Sequence, residues 1–336
     1  MIPSKPDHLE CRAWWATAPL PGAIGICHMK GRLEAMFEAL GIDPLEVGAT
    51  RVLEIAGIDE GVLARPAEDS ALFMPHGGPR VRQLISRHFE KLGLRFIDPA
   101  DTDPRTRWPE ADTLVEACML EALCATESPR AIDLLLAQPR RHRDNPLESS
   151  DDRGSDPRRH LIDPPLVVIT GRPNVGKSTL LNRLAATEVA ITADLEGTTR
   201  DAVAARLIID GMACDVIDLP GLRESDDPIE RRAIMLSSRF LEESDLLITL
   251  VDHERGVPES LERTPDLIIR NKSDLQSSRP GPKTDHEICA KTGEGIERLA
   301  MLMRQALVPD EILKNEDPWS FHPELERDGD QSPTIE

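Results

Sequence analysis

Residues 171–178 read Gly171-Arg172-Pro173-Asn174-Val175-Gly176-Lys177-Ser178, and this octapeptide decides the fold. It matches the pattern GxxxxGK[ST] at every fixed position, a glycine-rich loop whose backbone N–H groups turn inward around phosphates. The context agrees. Leu166-Val-Val-Ile-Thr170 ahead of it is the continuous apolar run of a strand covered on both faces. Ser178 to Ala186 behind it has Leu180, Leu181 and Leu184 on one side of a helix, and a helix N-terminus adds partial positive charge to such a site. Lys177 is therefore expected at the β- and γ-phosphates as a catalytic and binding group. The Ser178 hydroxyl is expected on Mg²⁺, with Val175, Gly176 and Thr179 completing the phosphate contacts.

Working outward, Val203–Ile209 and Met212–Asp218 flank Asp210-Gly211, a two-residue hairpin signal. Asp218-Leu-Pro-Gly221 closes the second of these strands, where a second metal-shell carboxylate (Asp218) and a γ-phosphate-sensing glycine (Gly221) are needed. Leu246–Val251, Leu267–Ile269 and Glu287–Ala290 read as further strands, and Gly295 to Leu307 as a helix. The fold expected for residues 165–308 is α/β, a mostly parallel sheet with helices on both faces. Asn271-Lys272-Ser273-Asp274 follows a strand and supplies a test of the base. The Asp274 carboxylate can accept from both N1 and the exocyclic amine of guanine, whereas adenine offers no matching pair of donors, so the nucleotide is GTP or GDP. Asn271, Lys272, Ala290 and Lys291 are the other expected base contacts.

Composition limits the remaining possibilities. The chain has 336 residues, 40% of them hydrophobic, with 60 acidic residues against 40 Lys and Arg for a formal charge of −20. Such a balance excludes nucleic-acid binding through bulk positive charge, so an RNA partner needs a local basic patch or a larger complex. The six cysteines form no CxxC pair, which argues against a zinc site or a disulfide framework and for reduced thiols. The stretch Met1–Arg12 lacks the basic start and apolar run expected of a secretory leader, and no apolar segment reaches the roughly 18–20 residues that span a bilayer. The expectation is a cytoplasmic protein without membrane attachment.

Residues 1–100 read as a smaller α+β domain. Ala23–Cys27 has the look of a strand, and Val81–Leu92 that of a helix closed by Gly93. Residues 101–137 form a short helical segment broken at Pro129. Residues 138–164 are rich in Pro, Arg and acidic residues and are expected to be a disordered linker. Residues 309–336 are expected to be a disordered or loosely docked polar tail.

A resemblance then becomes specific. Ala190-Ile-Thr-Ala-Asp-Leu-Glu-Gly-Thr-Thr-Arg-Asp201 resembles the first switch of the MnmE (TrmE) tRNA-modification GTPases, within the TrmE/Era/Der branch. The resemblance implies Mg²⁺ and γ-phosphate contacts from Thr198 and Thr199, and an anchoring role for Asp201. Leu222 stands where many GTPases place a water-orienting glutamine. The following Gly-Leu-Arg-Glu-Ser-Asp-Asp-Pro-Ile-Glu230 resembles the family's second switch, which implies that Glu230 orients the attacking water. Asn174 matches the asparagine that ligates K⁺ in the family, where K⁺ takes the place of an arginine finger while the nucleotide domains pair. Ala16-Thr-Ala-Pro-Leu-Pro-Gly-Ala-Ile-Gly-Ile26 and Pro75-His76-Gly77-Gly78-Pro79 look like the family's N-terminal domain, which dimerises and binds a formyl-tetrahydrofolate.

The implied activity is GTP hydrolysis, with a role alongside a flavin-dependent partner protein in modifying the tRNA wobble uridine, and a homodimer as the working form. Family chains complete their helical domain after the nucleotide domain and carry a cysteine near the C-terminus. Here a polar stretch follows Leu307, no cysteine follows Cys289, the loop His253 to Pro265 is short, and Cys289 replaces the serine usual before Ala290-Lys291. These departures leave open a divergent GTP-switched binding module of the Der/Era kind, acting at the ribosome or on RNA, or a weakly hydrolysing scaffold.

Overall fold

The computed structural model describes residues 10–17, 22–98, 102–108, 110–147, 153–187, 190–191, 203–218, 239–254, 256–258, 261, 263–275 and 282–327. The chain divides into two compact units, Met1–Glu110 and Ala111–Glu336.

In the first unit, β1 (Cys11–Trp15), β2 (Cys27–Gly31), α1 (Leu33–Leu40), β3 (Thr50–Ile55), β4 (Asp59–Ala67), β5 (Ser70–Met74), α2 (Pro79–Lys91) and β6 (Arg95–Phe96) follow in order. The six strands form one sheet ordered β3-β4-β5-β2-β1-β6, antiparallel except for the β1–β6 pair. Alternation sets the core face: Cys11, Ala13, Cys27, Met29, Ala71 and Phe73 are buried against Met36 and Phe37 of α1 and Ile85 and Phe89 of α2. The α2 helix starts at Pro79, after Gly78 at the N-cap, and Gly93 follows its end with φ 100°. A strand over Ala23–Cys27 does not form. Pairing begins at Cys27, and Ile24 makes only an isolated bridge to His76. Gly25 is pressed against the Trp15 ring, where a Cβ would sit 3.0 Å from a ring carbon, so this stretch serves close packing rather than a ladder. The short α3 (Pro104–Arg107) is capped by the Asp103 carboxylate, which accepts from the Arg105 N–H.

The second unit begins with α4 (Leu114–Ala125), α5 (Ala131–Leu136) and α6 (Gln138–Asp144). It continues through β7 (Leu166–Gly171), α7 (Lys177–Thr187), β8 (Ala190–Ile191), β9 (Val203–Ile209), β10 (Met212–Asp218), β11 (Leu246–Val251), β12 (Leu267–Arg270) and β13 (His286–Glu287), followed by the helix Ile296–Leu307. The seven-stranded sheet runs β13-β12-β11-β7-β10-β9-β8, parallel except where β9 pairs with β8 and β10. Alternate residues of β7 serve two cores. Val167 and Ile169 pack with Leu180 and Leu184 of α7 and with Leu299 and Met303, while Val168 packs with Ile217, Leu247 and Leu241 on the other face.

Two expectations are corrected here. Residues 138–164 are not a disordered linker among their described positions: α6 occupies the first, and 3-10 turns occupy Arg153–Ser155 and Pro157–Leu161. Composition concealed this because the stretch docks through few groups. Leu161 is buried, its carbonyl accepts from the Thr126 hydroxyl at 2.7 Å, and Arg158 pairs with Asp156 at 2.7 Å while lying over the Trp319 ring. The tail is likewise packed as far as it is described. Trp319 is 2% exposed and Phe321 1%, and the carbonyl of Trp319 lies 3.2 Å from the His142 ring. Two large aromatic side chains are enough to dock an otherwise polar segment.

The helical segment is buttoned to the β9–β10 turn. The Asp210 carboxylate is shared by Arg130 at 2.7 Å and Arg304 at 2.9 Å, and the backbone N–H of Arg130 donates to the Gly211 carbonyl. The Ser128 hydroxyl accepts from the Ala213 N–H at 3.0 Å. Asp210 has φ 45° and Gly211 φ 77°, the left-handed pair that a two-residue hairpin requires.

Candidate nucleotide-binding site

The site lies at the carboxyl ends of the central parallel strands, where open α/β sheets place their ligands. β7 delivers the loop Gly171–Gly176 between its two parallel neighbours, β10 and β11. Gly171 has φ 146°, and a Cβ there would strike the Leu250 carbonyl oxygen. Gly176 has φ 102°, and a Cβ would collide with the Asn271 side-chain amide. Both glycines are thus required by space as well as by φ. Asn174 holds a left-handed φ of 64° without being glycine, and it is exposed.

The Lys177 ammonium folds back over this loop and donates to the Gly171 carbonyl at 3.2 Å. The Ser178 hydroxyl, at the start of α7, donates to Asp218 Oδ2 at 2.7 Å. Asp218 ends β10 and is 7% exposed, and its Oδ1 is buried without a hydrogen-bond partner among the described residues. An unsatisfied buried carboxylate oxygen beside a hydroxyl is a hard-oxygen donor set that suits Mg²⁺.

On the other side lies a cleft of about 430 Å³, lined by Gly176, Thr179, Asn271, Lys272, Asp274, Leu275, Cys289 and Lys291. Asn271, after β12, joins three loops: its Nδ2 donates to the Val175 carbonyl at 2.8 Å, and its Oδ1 accepts from the Ala290 N–H at 2.9 Å. The Lys272 ammonium donates to the Asn174 carbonyl at 2.8 Å and to Asp252 at 3.1 Å. Asp274 is exposed at the cleft.

The structure brings Asn174, Val175, Gly176, Lys177, Ser178, Thr179 and Asp218 together around the loop, and Asn271, Lys272, Asp274, Ala290 and Lys291 around the cleft. Thr198, Thr199, Gly221 and Glu230 lie outside the described residues, so their placement is not part of this geometry. Sequence reasoning misses two contributors, Asp252 and Arg183, and singles out a third, Cys289, only as a replacement for the usual serine. Asp252 follows β11 on the strand next to β7, so its position at a strand's carboxyl end was a readable signal. Arg183 of α7 donates to the carbonyls of Ala290 and Lys291, which only tertiary structure reveals. Cys289 donates its thiol to Asp274 Oδ1 at 3.2 Å.

A glycine-rich loop entering a helix, a hydroxyl–carboxylate pair and a base cleft tied to the loop define a P-loop guanine-nucleotide hydrolase. The family described as 50S ribosome-binding GTPase matches residues 166–277. The chain is 33% identical to the tRNA modification GTPase MnmE of Neisseria meningitidis serogroup C, covering 89% of this chain and 83% of that one. It is 31% identical to the MnmE of Thiobacillus denitrificans, covering 91% and 82%. The chain belongs to the MnmE family. Among solved structures it resembles Aquifex aeolicus Era bound to GDP.AlF4-, at 25% identity over 42% of this chain and 56% of that one, with a TM-score of 0.33. No described helix is long and apolar enough to cross a membrane.

Proposed function

We propose that the chain hydrolyses GTP at this cleft and that hydrolysis serves modification of the tRNA wobble uridine, in a homodimer working with a flavin-dependent partner in the cytoplasm. The observation carrying the nucleotide reading is the pair of bonds that Asn271 makes to Val175 and Ala290, which set the base cleft and the phosphate loop in one frame. In this reading Asp274 pairs with guanine, and Lys291 and Ala290 flank the base. Lys177 exchanges the Gly171 carbonyl for the β- and γ-phosphate oxygens, and loop N–H groups from Asn174 to Thr179 hold the same phosphates.

Ser178, Asp218 and Thr199 would hold Mg²⁺, which would supply charge to neutralise the phosphoryl group, with Thr198 and Gly221 beside the γ-phosphate. Water attacks the γ-phosphorus, the bond to the bridging oxygen breaks, and GDP and phosphate leave. Glu230 orients that water in place of a glutamine. Asn174 would supply an oxygen to K⁺, and the chemistry that ion would bring is positive charge preorganised for the transition state. The N-terminal unit, with Pro75–Pro79 leading into the first turn of α2, is assigned the formyl-tetrahydrofolate and the dimer contact.

The test is hydrolysis by the full chain in K⁺ and in Na⁺, with Glu230→Ala and Asn174→Ala, beside nucleoside analysis of tRNA from cells lacking the gene. K⁺ stimulation lost in Asn174→Ala, and hydrolysis lost in Glu230→Ala at unchanged GDP affinity, support the catalytic roles. Unchanged wobble-uridine modification, in cells with no second MnmE, removes the tRNA role and leaves a GTP-switched binding module.

A further inference from the structure

The outer face of the helical segment mixes exposed apolar side chains with charged ones. α5 and α6 run on from one another through Ala137, whose φ of −78° and ψ of −17° are helical. The inner face of this run is buried at Ala131, Leu135 and Gln138. On the outer face, Ile132 is 44% exposed and Leu136 55%, and their spacing of one turn makes them neighbours. Among the described residues they are the one such pair of large apolar side chains left exposed on a helix. The same face continues through Arg140, Arg143 and Asp144, with Asp133 beside Ile132, all of them exposed. Arg140 meets Asp144 only at 3.5 Å, with side chains 86% and 64% exposed, and a surface pair of that kind is easily exchanged for another.

We propose that a second copy of this chain packs antiparallel on the α5–α6 stripe, with Leu136 near the two-fold axis. The charge pattern selects this occupant. The stripe has its acid, Asp133, at one end and Arg140 and Arg143 toward the other, so an antiparallel copy sets Asp133 of each chain against Arg140 of the other. The two Leu136 side chains then meet, and Ile132 lies along the aliphatic stem of the opposing Arg140. The formal charge of −20 makes two copies repel over most of their surfaces. The stripe, with two acids and two arginines, is neutral and escapes that repulsion. The contact rests on the homodimer proposed above, since a helix pair roughly 20 Å long is too small to hold two chains together alone.

The experiment is disulfide trapping in the full chain. Cys124 is exposed and the other five cysteines are buried, so Leu136→Cys is made in a Cys124→Ser background, beside Asp144→Cys as a control at the end of the same face. A residue near a two-fold axis meets its own copy. Leu136→Cys is therefore expected to form the linked dimer about tenfold faster than Asp144→Cys under mild oxidation, because only the former brings its two sulfurs within bonding range. Adding Arg140→Asp is expected to slow trapping about tenfold by setting like charges together, and adding Asp133→Arg as well to restore it. Equal rates for the two cysteines, no loss with Arg140→Asp, or no recovery in the double reversal overturns the contact. Sedimentation of the wild-type chain separates the two levels. A dimer without preferential trapping leaves the homodimer standing and removes only the stripe contact; a monomer at every concentration removes both.

Discussion

The Lys272 ammonium lies 2.8 Å from the carbonyl oxygen of Asn174, so the residue beside the base also fastens the phosphate loop. Lys272 itself has φ 64°, a conformation that costs a non-glycine residue free energy and that aims the side chain across the loop. Charged hydrogen bonds of this kind are worth about 1.5–3 kcal/mol. Lys272→Met is therefore expected to weaken GDP binding about 10-fold to 100-fold, measured by titration calorimetry. An affinity within a factor of about two of wild type would show that the loop holds its shape without this bond.

The Asp210 clamp yields a stability prediction. Arg304 is only 4% exposed at its side chain and pairs with both Asp210 and Asp310. Asp210→Asn removes the charge shared by two guanidiniums and is expected to cost about 1–3 kcal/mol in urea unfolding. Asp310→Asn, at a carboxylate 40% exposed, is expected to cost less, since surface pairs are screened. Equal costs would mean the clamp is no stronger than a surface pair.

Acid should loosen the N-terminal unit through one side chain. Burial of the His28 ring, aided by the Lys30 charge and opposed by Asp69, lowers its pKa from 6.5 to about 4. The ring lies 2.6 Å from the Ser70 hydroxyl and against Trp14. Between pH 4 and 6.5 the unfolded chain binds the proton that the folded chain refuses, so stability falls as pH falls through that window and the loss levels off below it. The full span amounts to about 3 kcal/mol. His28→Gln is expected to flatten this slope in thermal melts taken between pH 7 and pH 4; a slope identical to wild type would place the acid sensitivity elsewhere.

The tail prediction is the largest. Trp319→Ala empties a fully buried aromatic site and is expected to cost about 3–5 kcal/mol, read as a lower midpoint for the second unit. A loose tail would give a change near zero.

Legibility in the sequence followed the range of the interactions. The loop Gly171–Ser178, the Asp210-Gly211 hairpin and Asn271–Asp274 are local patterns set by φ requirements and strand ends, and they were placed without the structure. Residues 138–147, 153–164 and 309–327 are packed where composition predicts disorder, because composition counts charge, whereas docking depends on Leu161, Trp319 and Phe321 meeting partners far along the chain. The base cleft shows the same limit. Asp274 is legible by type and spacing, but Arg183 fastens the Ala290–Lys291 carbonyls and Cys289 touches Asp274 through contacts that no periodicity encodes.

The ends of the two sheets differ in a way that bears on solution behaviour. Three of the four terminal strands among the described residues, β6, β8 and β13, are only two residues long, too short to template another chain. The fourth, β3, runs six residues from Thr50 to Ile55 with Val52 61% exposed. Among the described residues, lateral association between molecules, wanted or unwanted, therefore has one long edge on which to start. A lysine in place of Val52 is the change that would most directly keep concentrated preparations from clumping.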